Sequence, residues 1–267
     1  MKRRSFIKTS LAVSGLAGFY PEGGAVHAAG PSASPEPEHY ELRAYRVKGG
    51  SDTSLLDAYL EKAAIPAWNR LGVKTVGVFT EREAKETPTV YVLIPYSSIE
   101  SFAGVGARIN SDPEYLKAGA EYLQTPKTNP AFLRIDSWLM LAFAGLPKMD
   151  LPAYCKERKP RVFEMRFYES HSELKAINKV EMFNAGEIET MREVGLGPIF
   201  YGQTLIGRDL PHLIYMTSGQ DMDAHKKHWD AFRIHPVWKK LQSDPQYANN
   251  TSKNTSMMLD PKPYSQI

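Results

Sequence analysis

The chain has 267 residues, 42% of them hydrophobic, which is enough for a substantial core in one large or two small domains. Lys and Arg number 33 against 30 Asp and Glu, but residues 1–28 hold four of the former and one of the latter, which leaves 29 of each. A chain so balanced has no long-range field to attract nucleic acid or an anionic membrane, so both partners are excluded.

The first residues are typical of a twin-arginine export signal. Arg3 and Arg4 precede a short apolar stretch, and small residues mark a cleavage site after Ala28. The apolar stretch is far shorter than the roughly 20 residues that span a bilayer, so we expect no membrane span. The sequence thus predicts export to the periplasm or another extracytoplasmic compartment and a soluble product after cleavage. Residues 29–38 are rich in Pro and Ser and predict a flexible leader.

The remainder of the chain repeats one pattern twice. YELR at 40–43 aligns with FEMR at 163–166, at an offset of 123 residues. A helical stretch follows in each half and ends in a glycine, at Gly72 and at Gly195, again 123 residues apart. The motif SDPxY also occurs once in each half. Self-similarity at a fixed spacing indicates a tandem duplication.

We place the first and more divergent repeat at 39–144 and the second at 161–267. Between them, residues 145–160 are rich in Pro and charge and predict a linker. It contains Cys155, the only cysteine of the chain, so an intrachain disulfide is excluded. Each repeat has the element order β-α-β-β-α-β, which is the ferredoxin-like plan of four antiparallel strands with both helices on one face.

Local patterns place the helices within each repeat. Asp52 or Thr53 can cap the first helix, and Ser172 can cap its counterpart in the second repeat. Leu55, Leu56, Tyr59, Leu60 and Ala63 follow the first cap at helical spacing. Pro66 predicts a kink or an end in the first helix, and Pro236 interrupts the last helical segment of the second repeat.

Alternation divides the opening strand of each repeat into an apolar face and a polar face. The polar faces carry two Glu-Arg-Tyr triplets, which are Glu41, Arg43 and Tyr45 in the first repeat and Glu164, Arg166 and Tyr168 in the second. We expect the apolar faces to pack on the helices. The triplets would then face the other repeat and line a lumen between the two sheets.

The second half contains the stretches VFEMRFYES, KVEMFNAGEIETMREVGLGPIFYGQTLIG, LIYMTSGQDMDAHKKHWDAFRIHPVWKKLQSDPQY and LDPKPYS. Through these stretches the chain resembles the NIPSNAP family, most closely in this half. The first half matches more loosely, through YELRAYRV, VYVLIPY and SDPEYL, and lacks a counterpart to EMFNAGE. The resemblance implies the dimeric α/β-barrel fold, and it implies no defined biochemical role.

We therefore predict an α+β protein in which two tandem ferredoxin-like repeats pack sheet to sheet as an intramolecular dimeric α/β barrel. A single chain is sufficient to cover both sheets, so a monomer is sufficient. Further association into a homo-oligomer through the outer helices stays open.

The two Glu–Arg pairs are the first candidate site. Inside a lumen they could orient a polar or carboxylated ligand or supply an acid–base group. The alternative is a structural ladder of ion pairs, since buried charges must be paired in any case. Glu181, Asn184 and Glu187 are spaced at three residues and form a second candidate ligand site, with close packing around Gly186 as the alternative.

A cluster of histidines raises the question of a metal. His225, His228 and His235 are near one another on a predicted helical segment, but two lysines separate the first pair, which is typical of a solvated face. Haem ligation by His171, His212 or His228 is an equally weak alternative. We predict no metal and no cofactor.

Three functions stay open on this sequence. The favoured one is non-catalytic binding of a small polar or carboxylated molecule between the repeats. The second is a cofactor-independent enzyme of the monooxygenase or isomerase kind, with its site in the lumen, which is an analogy of fold. The third is a structural module that binds a partner through its outer helices.

Overall fold

The computed structural model describes residues 35–49, 52–83 and 88–267, so the predicted export signal and most of the leader lie outside the described residues. Eight strands form one closed antiparallel barrel. They are β1 (His39–Arg46), β2 (Gly77–Glu81), β3 (Thr89–Tyr96), β4 (Arg134–Ala142), β5 (Val162–Glu169), β6 (Gly197–Ile206), β7 (His212–Gly219) and β8 (Lys253–Pro261).

Helices cover the outside of the barrel. They are α1 (Ser54–Tyr59), the π turn π1 (Leu60–Ala64), α2 (Ile65–Arg70), α3 (Ile99–Ile109), α4 (Pro113–Ala118), α5 (Ala120–Leu123), α6 (Ala153–Lys156), α7 (Glu173–Met182), the π turn π2 (Phe183–Glu187), α8 (Ile188–Glu193), α9 (Met222–Ile234), α10 (Pro236–Ser243) and a 3₁₀ turn (Pro245–Tyr247). Over the described ranges, none of these helices combines the length and the hydropathy that crossing a bilayer requires.

The strand order confirms the predicted fold class. The first repeat contributes β4-β1-β3-β2 and the second β8-β5-β7-β6, which is the same ferredoxin-like order twice. The two sheets join at their edges, where β2 pairs with β8 and β4 pairs with β6. Edge pairing closes the barrel and leaves no unpaired sheet edge, which removes a common source of aggregation. Because four antiparallel steps separate β1 from β5, these two strands run in the same direction.

The predicted alternation of β1 and β5 is present, but the assignment of their faces is wrong. The apolar residues, such as Leu42 and Met165, point into the barrel, where rings from the two repeats meet. Phe79 and Phe163, for example, lie 5.0 Å apart between ring centroids. Apolar side chains fill most of the interior of this eight-stranded barrel, so buried charges there would find few partners. The Glu-Arg-Tyr triplets instead lie between sheet and helices, where both neighbouring strands and helices supply partners.

A π turn occurs at the same place in both repeats, 123 residues apart, although the sequence showed no counterpart to EMFNAGE. In each turn the N–H that follows donates to the carbonyl five residues back. In the first repeat, helical structure continues past Pro66 to Arg70, so Pro66 does not end the helix. Proline lacks the N–H that an α-helix would use there, and the wider turn just before it lets the helix continue.

The segment predicted as a linker closes one end of the barrel. Tyr154 donates to or accepts from the Ser218 hydroxyl at 2.8 Å, and Cys155 packs into the barrel core. Burial raises the pKa of the Cys155 thiol to about 11, so it is not a ready nucleophile. Ile267 fills the same end. At the opposite end, where β1 and β5 finish, the described side chains leave cavities between them.

Candidate functional site

In the first repeat, Glu41 and Arg43 form a closed set of hydrogen bonds with residues of neighbouring strands. Arg43 donates to both carboxylate oxygens of Glu41, at 2.7 and 2.9 Å. Tyr96 and Ser137 donate to the same carboxylate, at 3.1 and 3.0 Å. The Arg43 guanidinium lies over the Trp68 ring of α2. Every lone pair of the carboxylate therefore has a neighbour within its own repeat, which matches the structural alternative.

In the second repeat, the equivalent carboxylate has different partners. Glu164 accepts from Arg166 at 2.5 Å, from the Nε2 of His225 at 2.8 Å and from the indole N–H of Trp229 at 2.6 Å. The Arg166 guanidinium lies between the Trp229 and Tyr168 rings, 4.8 and 5.5 Å from their centroids. His225 and Trp229 come from α9, so this helix is fixed to the sheet through one buried acid.

Burial and charge act in opposite directions on this acid. Burial alone would raise the pKa of Glu164, but the hydrogen bond from His225 and the positive charge of Arg166 outweigh it and lower the pKa. Arg166 is partly desolvated, yet the surrounding tyrosines and Glu164 raise its pKa further. Both groups are therefore ionised at neutral pH. A fixed ion pair of this kind holds structure and has no proton to exchange near pH 7.

The second predicted candidate set does not come together. Glu187 is buried and pairs with Lys179 at 2.8 Å. Asn184 is exposed and accepts from the backbone N–H of Gly145 at 2.8 Å. Glu181 is exposed elsewhere on the helix. The π turn rotates Glu187 away from the face on which α-helical spacing would place it.

The three histidines of the metal alternative also serve separate purposes. His225 binds Glu164, while His235 lies 3.4 Å from Glu193 and caps α10. The ring of His228 packs against the backbone at Gly195. Across residues 35–49, 52–83 and 88–267, no three His, Cys, Asp or Glu side chains are grouped as metal ligands.

The end of the barrel where β1 and β5 finish forms a concave site that we name the barrel mouth. Its floor is made of apolar and aromatic side chains from both repeats, namely Tyr91, Trp138, Phe167, His212 and Met257. Two cavities of about 180 and about 270 Å³ open there, and Tyr91, Trp138 and Arg208 line both of them. The barrel mouth is thus the place where the two repeats jointly enclose space.

Charged residues surround this floor. Asp136 lies 2.8 Å from Arg46 and 3.4 Å from Arg208, so two guanidinium groups share one carboxylate. Lys253 pairs with Glu169 at 2.8 Å on the other side. Arg208 lies over the Trp138 ring, 5.6 Å from its centroid, and half of its side chain (52%) is exposed. Within the part of the chain that the structure describes, Arg208 donates no hydrogen bond.

His212 is the most buried polar residue of the barrel mouth. Its ring is parallel to that of Phe167, and its Nε2 lies 3.3 Å from the Thr204 hydroxyl. Its Nδ1 is buried and has no hydrogen-bond partner among the described side chains and backbone. Burial lowers the pKa of His212, so the ring is neutral at pH 7. A buried polar atom without a partner is the kind of group that a ligand or a water can satisfy.

Sequence reasoning did not select the barrel mouth. Its residues come from seven strands and one hairpin loop, and no local motif joins them. His212 entered the sequence analysis only as a weak haem alternative. Trp138 and Arg208 sit 70 residues apart in the chain. Only strand order and register bring these side chains together.

Comparison with known proteins agrees with the fold. The NIPSNAP family model matches residues 40–138 and again 163–266. A "Putative monooxygenase" from Fusobacterium nucleatum superposes with a TM-score of 0.55 at 12% identity, over 85% of this chain and 93% of that one. Another from Lactobacillus acidophilus gives 0.54 at 6% identity, over 85% and 94%.

A NIPSNAP-like domain protein from Burkholderia xenovorans is 20% identical over 40% of this chain and 89% of its own, with a TM-score of 0.36. No curated protein matches. Identities this low relate the solved structures to this one by fold alone. The family model, by contrast, covers most of the chain in two copies. The chain belongs to the NIPSNAP family.

Proposed function

We propose that this protein binds a small, flat molecule with a carboxylate or other polar group, in the barrel mouth between the two repeats. The observation that carries the proposal is the combination of an aromatic floor with Arg208 at its edge. Ligand sites in proteins are typically concave and apolar, with a few polar groups that fix orientation. The barrel mouth has this composition, and the Glu–Arg pairs, which are closed within each repeat, do not.

Arg208 is the group best placed to receive a carboxylate. Asp136 already has Arg46 at 2.8 Å, so the longer contact to Arg208 is the one that a ligand can replace at small cost. A guanidinium matches a carboxylate with two parallel hydrogen bonds. The flat body of the ligand would lie on Trp138 and Phe167, whose rings are 5.9 Å apart and edge to face.

The enzyme alternative has less support. It rests on likeness of fold to two proteins named as monooxygenases, and a fold does not specify a reaction. Glu164 is the buried acid that an enzyme mechanism would use. It forms an ion pair with Arg166 of the same strand, in the layer between sheet and helices and away from the barrel mouth. A binding role uses the residues that the open cavity presents.

Benzoate titration followed by nuclear magnetic resonance and calorimetry tests the proposal. We expect benzoate to shift resonances of the barrel mouth and Arg208→Gln to weaken its binding about ten-fold, which corresponds to one charge-assisted pair of hydrogen bonds. Arg82→Gln is the matched control, because Arg82 is about as exposed (42%) and is paired with Asp260 outside the barrel mouth. Tighter binding of benzylamine than of benzoate would contradict the assignment of Arg208. An absence of binding by either probe would sink the function.

A further inference from the structure

A second cavity adjoins the barrel mouth on the outside of the second repeat. We name it the apolar groove; it has a volume of about 270 Å³ and lies between α7 and the hairpin of β6 and β7. Ala176, Ile177, Leu205, Leu210 and Pro211 form most of its walls, and Glu173 is its one acidic residue. It is therefore a largely uncharged trough on the protein surface.

The apolar groove exposes large side chains to water. Ile177 is 43% exposed, Leu205 42% and Leu210 47%. Leu174, in the same helix as Ile177, is 78% exposed, and Ile206, next to Leu205 in β6, is 66% exposed. Single exposed leucines are ordinary, but three large apolar side chains exposed around one cavity indicate a surface that binds something apolar.

The first repeat shows that the fold does not require these residues to be apolar. At the offset of 123 residues, Ile177 corresponds to Ser54 and Leu205 corresponds to Arg82. Ile206 corresponds to Glu83. The same hairpin position is thus charged in one repeat and apolar in the other. The apolar surface is a specific property of the second repeat.

The apolar groove and the barrel mouth share a wall. His212 lines both cavities, and the loop between β6 and β7 runs between them. Arg208 and Asp209 in this loop line the barrel mouth, whereas Leu210 and Pro211 line the apolar groove. A molecule held at Arg208 therefore needs to extend only past His212 to reach apolar surface.

We propose that the ligand of the barrel mouth is an amphiphile, with a carboxylated head at Arg208 and an alkyl tail in the apolar groove. This inference rests on the proposed function and adds the class of ligand to it. The head explains the half-exposed guanidinium of Arg208, with its long contact to Asp136, and the aromatic floor. The tail explains why the positions of Leu205 and Ile206 are apolar in the second repeat and charged in the first.

Calorimetry with benzoate, 4-butylbenzoate and 4-octylbenzoate, each below its micelle concentration, tests the tail. Complete burial of a methylene is worth about four-fold in affinity, and a groove open to solvent on one side should give about two-fold. We expect 4-butylbenzoate to bind at least ten-fold more tightly than benzoate. The gain should level off towards the octyl chain, where the groove ends.

The control variants exchange residues between the repeats. Ile177→Ser with Leu205→Arg copies the first repeat; it should leave benzoate affinity unchanged and remove most of the gain from the butyl tail. Ser54→Ile with Arg82→Leu makes the reciprocal change. It should alter neither the affinity for benzoate nor the gain in affinity from the butyl tail. These positions are exposed or at the surface, so folding should survive, which circular dichroism checks.

The outcomes separate the two proposals. If benzoate binds and the alkyl tails add nothing, the inference is overturned and the binding function stands. If the tails add affinity but the double variant in the apolar groove keeps the gain, the tail lies elsewhere and the inference is again overturned. If no probe binds, the function itself fails.

Discussion

The two repeats share a backbone plan but differ in what they bury between sheet and helices. In both, a glutamate pairs with an arginine two residues later on the opening strand. In the first repeat the remaining donors to Glu41 are hydroxyl groups, from Tyr96 and Ser137. In the second, His225 and Trp229 of α9 donate to Glu164, where the first repeat has Phe102 and Gly106 at the equivalent positions.

A second difference between the repeats lies in the buried residues of the first helical segment. Lys179 and Glu187 form a buried ion pair in the second repeat, at positions that correspond to Leu56 and Ala64 in the first. The comparison teaches that the fold requires an acid–arginine pair on the opening strand and tolerates either apolar or ionic packing beneath the helix. Within the described ranges, the second repeat alone has a buried lysine–glutamate pair and a helix that donates to the strand glutamate.

The variant with the largest expected effect breaks the buried ion pair of Lys179 and Glu187. Lys179→Leu, which copies the first repeat at one position, leaves Glu187 buried without a counter-charge. We expect a loss of about 3–4 kcal/mol in the free energy of unfolding at pH 7, because removing one partner of a buried pair is strongly destabilising. Urea denaturation followed by fluorescence measures it.

Restoring the apolar pattern supplies the control. Lys179→Leu combined with Glu187→Ala completes the first-repeat pattern and should recover at least half of the loss, since an apolar replacement of an ion pair is often tolerated. Burial raises the pKa of Glu187, so the loss in the single variant should also shrink as the pH falls and the acid takes up a proton. A single variant as stable as the wild type would show that the pair contributes nothing, and one as stable as the double would show that an unpaired Glu187 carries no penalty.

The sequence predicted the repeats and the barrel because those depend on patterns that recur. Strand alternation, capping residues such as Ser172 and the paired glycines at a spacing of 123 are local features, and the structure has each of them. It could not decide which face of β1 and β5 points inward. Tyr40 and Tyr45 both look amphipathic in the sequence, and the choice depends on the width of the closed barrel.

The candidate site was harder to predict for a related reason. The Glu-Arg-Tyr triplets stood out because they repeat, and repetition marks what the fold needs. The barrel mouth depends instead on where the repeats differ, as Arg46 and Glu169 do at equivalent ends of β1 and β5. Residues such as Trp138 and Arg208 become neighbours only when β4 pairs with β6.

The next largest effect concerns Glu164. Replacing it with Gln leaves Arg166 without its counter-charge. We expect the free energy of unfolding to fall by about 2–3 kcal/mol. This is less than for a fully buried pair because part of the Arg166 side chain (22%) reaches solvent. Denaturant unfolding measures the loss, with Arg233→Gln as a control on an exposed ion pair of α9 that should cost below about 0.5 kcal/mol.

Glu164→Gln should also change how the stability of the protein depends on pH. The folded state lowers the pKa of Glu164, so the stabilisation it gives is present above the unfolded value of about 4.3 and is lost as pH falls through the lower folded value. Wild-type stability should therefore decline below about pH 5, and Glu164→Gln should show a shallower decline. Parallel curves of melting temperature against pH for the two proteins would contradict a lowered pKa.

The smallest effect tests the two π turns. Gly186 in the second turn has φ of 139°, while the equivalent Ala63 is not among the residues with positive φ. A methyl group at Gly186 would also lie 3.1 Å from Val237. We expect Gly186→Ala to lower the free energy of unfolding by about 1–2 kcal/mol, because alanine is strained at this φ. We expect Ala63→Gly to lower it by about 0.5–1 kcal/mol, because glycine has a lower helix propensity. If Gly186→Ala were the milder of the two in denaturant unfolding, both turns would share one backbone geometry, and the difference between the repeats would not extend to the main chain.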